Sequence, residues 1–170
     1  MNCPSCGHEN IDGVDRCDNC LAPFRDLDVP RADSAEGLAR SVMEDNLNQL
    51  DQDETICVVP DTPALEVSNR MKNSNSGCAL VLDGKKLVGI FTEHDVLLRM
   101  TAGDKDLAAV TVKELMSPNP ETLREGDSVA EALNKMSLGR YRHIPFVRSD
   151  GTHAVASIKS VLKYIAQEDW

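Results

Sequence analysis

Aromatic side chains are scarce in this 170-residue chain: three Phe, two Tyr and one Trp offer little surface for stacking nucleic-acid bases. Cations are also few, 18 Lys and Arg against 28 Asp and Glu. Affinity for phosphate backbones comes mainly from clustered Lys and Arg, so a formal charge of −10 opposes non-specific DNA or RNA binding. No apolar run approaches the roughly 20 residues that a membrane-spanning helix needs. The opening MNCPSCGHEN lacks the apolar stretch of a secretory signal. A soluble, cytoplasmic protein is expected. There is no Ser, His and Asp set around a glycine-rich elbow, no GK[ST] phosphate loop and no carboxylate pair that stands out. The chain reads as non-enzymatic.

What is present suffices for one ordinary domain and a small appendage, with 41% hydrophobic residues to build a core. The charge falls unevenly: −3 over residues 1–24, −6 over 25–55 and −1 over the rest. The acidic middle segment reads as a solvated connector.

Four of the six cysteines crowd the N-terminus as two CxxC pairs, Cys3 with Cys6 and Cys17 with Cys20, ten residues apart. Reduced thiols are expected in the cytoplasm, which makes such pairs candidate metal ligands before candidate disulfides. Four converging thiolates suit tetrahedral zinc and close every position to water. They also supply folding energy that a segment of about 24 residues cannot get from burial. Residues 1–24 are therefore expected to form a minimal zinc ribbon with one structural zinc. Gly7 and Gly13 would allow its tight turns, whereas Leu21 stands where many ribbons carry glycine. Sulfur tetrahedra also hold iron, so a rubredoxin-like electron-transfer site stays open. Asp12, Asp15 and Asp18 beside the cysteines disfavour DNA contact.

Residues 25–45 read as an acidic linker and helix. Pro23 and Pro30 suit an extended connector, and Asp33 or Ser34 can cap a helix whose apolar positions Leu38, Val42, Met43, Leu47 and Leu50 run through about residue 50.

Beyond the linker, an offset of 65 residues superimposes two halves of the chain without a gap. Glu66 meets Glu131, Asn69 meets Asn134, Met71 meets Met136, and Val96-Leu97 meets Val161-Leu162. Each half reads as strand, helix, two strands, helix, an α+β pattern. The first spans 56–59, 62–73, 78–82, 87–92 and 93–101, and the second 122–123, 127–138, 143–147, 153–157 and 158–167. Thr62-Pro63 and Asp127-Ser128 supply helix-start chemistry.

The stretches LVGIFTEHDVL at 87–97, KELMSPNPETLREGDSVAEALNKM at 113–136 and RHIPFV at 142–147 resemble a tandem pair of CBS domains, the cystathionine-β-synthase-type module. The resemblance covers about residues 46–167, with repeat 1 at 46–105 and repeat 2 at 106–170. It implies two repeats packed through their sheets about a pseudo-twofold axis, clefts that commonly hold adenosine-containing ligands, and association of two such units as a flat homodimer.

In that family Gly-x-x-Thr/Ser-x-x-Asp at the last strand–helix junction often marks a nucleotide site, and Gly89, Thr92 and Asp95 fit it. Gly89 would allow close approach, Thr92 a hydroxyl beside free N–H groups at a helix start, and Asp95 a carboxylate for the ribose diol. Equally, Thr92 and Asp95 can simply cap the helix. Repeat 2 places Ala154, Ser157 and Ser160 there instead, but its His143-Ile144-Pro145 resembles the family's strand that helps wall an adenine pocket, where repeat 1 has Cys78-Ala79-Leu80. At most one good adenosyl site is expected, centred on Thr92 and Asp95 and walled by Cys57, Val58, Cys78 and Ala79. His94, Arg140, Arg142, His143 and Lys159 are candidate phosphate partners, although Arg140, Tyr141 and Arg142 equally suit a solvated turn. Cys57 and Cys78 read as inert core residues. The expected protein is a non-enzymatic regulator. Its CBS pair would sense AMP, ADP, ATP or S-adenosylmethionine, and its ribbon would dock on an unknown protein partner. A ligand-free interaction scaffold is the alternative.

Overall fold

The computed structural model describes residues 8–10, 16, 18–19, 37–51, 54–101 and 106–167. Cys3, Cys6, Cys17 and Cys20, the ribbon glycines, Leu21 and the caps Asp33 and Ser34 lie outside the described residues. Within the N-terminal segment, the buried side chain of Asn10 accepts a hydrogen bond from the Asp18 N–H (2.9 Å) and donates one to the His8 carbonyl (2.8 Å).

Helix α1 (Leu38–Glu44) and a 3₁₀ turn (Leu47–Gln49) lead into repeat 1, made of β1 (Cys57–Val58), α2 (Ala64–Asn73), β2 (Cys78–Asp83), β3 (Lys86–Thr92) and α3 (Glu93–Thr101). A short helix α4 (Val112–Leu115) and β4 (Ser117–Pro118) introduce repeat 2, made of β5 (Leu123–Arg124), α5 (Val129–Gly139), β6 (His143–Val147), β7 (His153–Ser157) and α6 (Ile158–Gln167). The sheets run β1-β2-β3-β4 and β5-β6-β7. In each repeat, the first two strands pair in parallel across the intervening helix, and a hairpin adds the third. The first hairpin turns at Gly84-Lys85, where Gly84 takes the φ of +61° that a side chain disfavours.

The two hydrophobic cores exchange their introductory segments. Leu47 and Leu50, which precede repeat 1, pack with Leu123, Val129, Met136, Ile144, Phe146 and Val161 of repeat 2. Val110, Val112 and Leu115, which precede repeat 2, pack with Ile56, Val67, Met71, Val81 and Phe91 of repeat 1. The backbone repeats this exchange. Val129 N–H donates to the Asp45 carbonyl (2.9 Å) and Ala64 N–H to that of Val110 (2.9 Å), positions related by the 65-residue offset. Leu80 and Ile90 of the first sheet meet Val155 of the second.

The single helix expected through residue 50 is interrupted. Asp45 and Asn46 adopt extended backbone, and Asn46 forms a bridge with Ser128. The Asp45 carbonyl accepts from the Val129 N–H at the start of α5, and the Leu47 N–H donates to the Glu125 and Asp127 carbonyls before it, a tertiary demand that overrides helical periodicity. Thr62 likewise does not cap α2: its hydroxyl donates to the Val59 carbonyl, and the first N–H groups of α2 reach the Val110 and Leu107 carbonyls. Ser128 does cap α5, its hydroxyl accepting from the Glu131 N–H at 3.1 Å.

Candidate functional site

Strand β3 passes into α3 without a loop, so Thr92 and the first turn of α3 sit at a helix N-terminus facing the second repeat. Asp95 Oδ2 accepts from both the Thr92 N–H and the Thr92 hydroxyl, each at 2.8 Å. The same junction in repeat 2 holds Ser157 and the buried Ser160, with Ser157 N–H to Ser160 Oγ at 2.9 Å and Ser160 N–H to Ser157 Oγ at 3.0 Å. Both junctions are self-capped, and the carboxylate is present in the first alone.

Two clefts open beside these junctions. One, of about 290 Å³, holds Thr92, His94 and Asp95 against Pro120, Tyr141 and Pro145 of the second repeat's half. The other, of about 960 Å³, holds Ser157, Ile158 and Lys159 against Ile56, Gly77 and Cys78 of the first. Each junction is thus walled by the opposite repeat, as the pseudo-twofold axis requires.

Of the residues proposed from sequence, the structure brings Thr92, His94, Asp95, Arg142 and His143 together, with Arg140, in the smaller cleft. Cys78 and Lys159 line the larger cleft instead, and Cys57, Val58, Ala79 and Gly89 line neither. Val58 and Ala79 turn into the core of their own repeat. Gly89 leaves room not for a ligand but for Met116, whose Sδ would lie 2.2 Å from a Cβ placed there. Cys57, expected in the core, is exposed, because β1 is an edge strand that turns Val58 inward and Cys57 outward. Cys78 is buried, and burial, followed by the neighbouring Glu93 and Cys57, pushes its thiol up to about 12.

Sequence reasoning missed Glu121 and read Tyr141 only as part of a solvated turn, whereas both line the Thr92 cleft beside His143 and Pro145. Tyr141 donates its hydroxyl to Glu121 Oε2 at 2.7 Å, and Lys135 bonds Glu121 Oε1. Those bonds, that of Lys135 first, hold the Glu121 carboxyl below its usual range, while burial and then the bond to Glu121 push the Tyr141 hydroxyl up. The Tyr141 ring fits where Gly139 has no side chain: a Cβ there would lie 1.9 Å from Tyr141 Cε1. The 65-residue offset held a signal, since it matches Gly77-Cys78 with Arg142-His143, but one strand cannot reveal which repeat it faces.

Glu93, Arg142 and His143 line both clefts. Arg142 approaches Glu93 Oε1 at 3.5 Å, while Glu93 Oε2 is shut from solvent without a hydrogen-bond partner among the described residues. Burial pulls the His143 imidazole below its ordinary value; Glu93 opposes that shift and Arg142 adds to it.

No helix among the described residues is long and apolar enough to cross a membrane. The CBS domain family model matches residues 39–102 and 112–167. A CBS domain-containing protein of Arabidopsis thaliana, CBSCBSPB5, is 35% identical over 91 residues, which are 54% of this chain and 17% of the plant protein. The match thus spans well under two thirds of that relative's length. A 17.7 kDa protein of Acidianus ambivalens is 27% identical over 71% of this chain and 73% of its own. Among solved structures, the CBS domain pair of protein MJ0100, determined with 5′-methylthioadenosine and S-adenosyl-L-methionine, shares the fold. It has a TM-score of 0.62 at 20% identity, over 71% of this chain and 98% of that one. A conserved Pyrococcus horikoshii protein gives a TM-score of 0.66 at 22% identity over 75% and 96%. The two matched repeats, with their exchanged cores and paired clefts, show that this chain belongs to the CBS domain family.

Proposed function

We propose that the protein is a non-enzymatic, cytoplasmic regulator whose Thr92 cleft binds an adenosine-containing ligand and whose response is passed to a protein partner. One observation carries the reading. The Thr92 hydroxyl, the Asp95 carboxylate and the start of α3 face an apolar wall of Pro145 and the Tyr141 ring across a cleft of about 290 Å³. A carboxylate can accept from both hydroxyls of a ribose, a helix start favours a phosphate or carboxylate, and apolar walls shelter a base. The complex of MJ0100 with two adenosyl compounds supports the ligand class. Ligand binding would bias the relation between the repeats and so alter partner affinity.

Thermal shift against AMP, ADP, ATP and S-adenosylmethionine, with Asp95→Ala alongside, tests this. A ligand at about 100 times its Kd adds about 2.7 kcal/mol, or about 5–10 °C for a chain of this size. A shift lost in Asp95→Ala is expected. No shift with any of the four favours the scaffold reading, which has its own support in the Asp95 Oδ2 bonds already closed onto Thr92.

The N-terminal ribbon we assign to one structural zinc held by Cys3, Cys6, Cys17 and Cys20, with iron the alternative. The spacing of the pairs supports it. A homodimer through the CBS pair is supported by Leu97 and Leu98 on α3 and Leu162 on α6, exposed by 56%, 55% and 60%.

A further inference from the structure

We propose that Glu93, Arg142 and His143 couple the two clefts, so that an anionic group bound in one opposes an anionic group in the other. The inference rests on the reading of the Thr92 cleft as a ligand site and adds the larger cleft as a second anion site coupled to it. Its basis is a shared wall. These three residues line both cavities, and their counterparts under the 65-residue offset are Ile158, Gly77 and Cys78, none of them charged at neutral pH. The pair therefore has one guanidinium between two clefts where strict symmetry would give two or none.

That guanidinium is held by a loose contact, 3.5 Å to Glu93 Oε1, with both side chains partly in water at 64% and 42% exposure. Such a pair yields readily to a phosphate, which guanidinium binds through two parallel N–H donors directed to one side. Turning that fork into one cleft turns it away from the other. Glu93 resists the departure, because its Oε2 is already shut in without a donor among the described residues. The wall cannot absorb the change by collapsing toward β2: a Cβ on Gly77 would lie 2.6 Å from His143 Nε2 and 3.0 Å from Glu93 Oε2. Lys72, Lys159 and Lys163 border the larger cleft and Asp95, Glu121 and Arg140 the smaller, so each cleft keeps its own charges and Arg142 is the cation they share.

Isothermal titration of the full chain with inorganic pyrophosphate, and separately with AMP, tests the coupling. For pyrophosphate, the second equivalent is expected to bind about 10-fold more weakly than the first, within the usual range of site-to-site coupling. Arg142→Ala should weaken both equivalents and bring them within about two-fold of each other, and Glu93→Gln should tighten the first about five-fold by releasing the guanidinium. A merely structural role for Glu93 predicts the opposite, weaker binding. Two equal equivalents in the wild type, no pyrophosphate binding at millimolar concentration, or no tightening in Glu93→Gln overturns the coupling. The expected pyrophosphate behaviour without any AMP binding would instead remove the adenosyl reading and leave the coupling standing. One AMP equivalent lost in Asp95→Ala, together with two equal pyrophosphate equivalents, would do the reverse.

Discussion

Leu47 precedes the first repeat in sequence yet is fully buried in the core of the second. Leu47→Ala should therefore destabilise the repeat that lies farther along the chain. Removing a buried leucine side chain costs its transfer free energy and leaves a cavity, together about 2.7–5 kcal/mol at sites of this kind. Neighbouring Leu123 and Val129 are anchored on strand and helix and can close the gap only in part. For a chain of this size, a cost of about 3 kcal/mol lowers Tm by about 6–12 °C. Denaturation gives the total, and native-state hydrogen exchange shows where it acts. Amides of α5, β6 and β7 should lose protection first, with those of β2 and β3 less affected. Val112→Ala should reverse the pattern, exposing repeat 1 at a cost of about 2 kcal/mol or more. A loss for Leu47→Ala that is below about 1 kcal/mol, or confined to repeat 1, would refute the exchanged-core argument.

Three further outcomes are expected. Gly139→Ala should destabilise by about 1–3 kcal/mol through its clash with Tyr141. In a Tyr141→Ala background the same change should stabilise by about 1 kcal/mol, the ordinary helix preference, as a denaturation double-mutant cycle would show. His143 is held below its ordinary 6.5 in the folded protein, so the unfolded chain takes up its proton first as pH falls. The stabilisation is therefore complete above about pH 6.5 and is lost on acidification toward the folded value. The slope of stability with pH in that window should flatten in His143→Gln, and an unchanged slope would contradict the assignment. Protein purified without added metal should carry about one zinc per chain by elemental analysis. Less than about a tenth of an equivalent would remove the ribbon, and a red colour would indicate iron.

The sequence by itself determined the repeat, its strand and helix order and the two junctions where Thr92 and Ser157 sit, because these are local: periodicity, cap chemistry and a constant offset suffice. Val129, Ala132 and Met136, spaced at the helical period, form the face on which α5 buries itself. The sequence also separated the two junctions chemically, since serine at 160 cannot replace the carboxylate at 95. Only the tertiary structure decided the full wall of each junction. Cys57, Val58 and Ala79 belong to the same repeat as Thr92, but a pseudo-twofold axis brings Pro145 and Tyr141 from the other repeat to its cleft. A helix-period pattern through Leu50 could not reveal that the chain leaves the helix at Asp45 and Asn46, which lets the Asp45 carbonyl take the first N–H of α5. The shared wall of Glu93, Arg142 and His143 exists because two chain segments roughly 50 residues apart converge on the axis. Convergence of that kind is fixed by burying the exchanged cores rather than by any local preference of the residues that meet there.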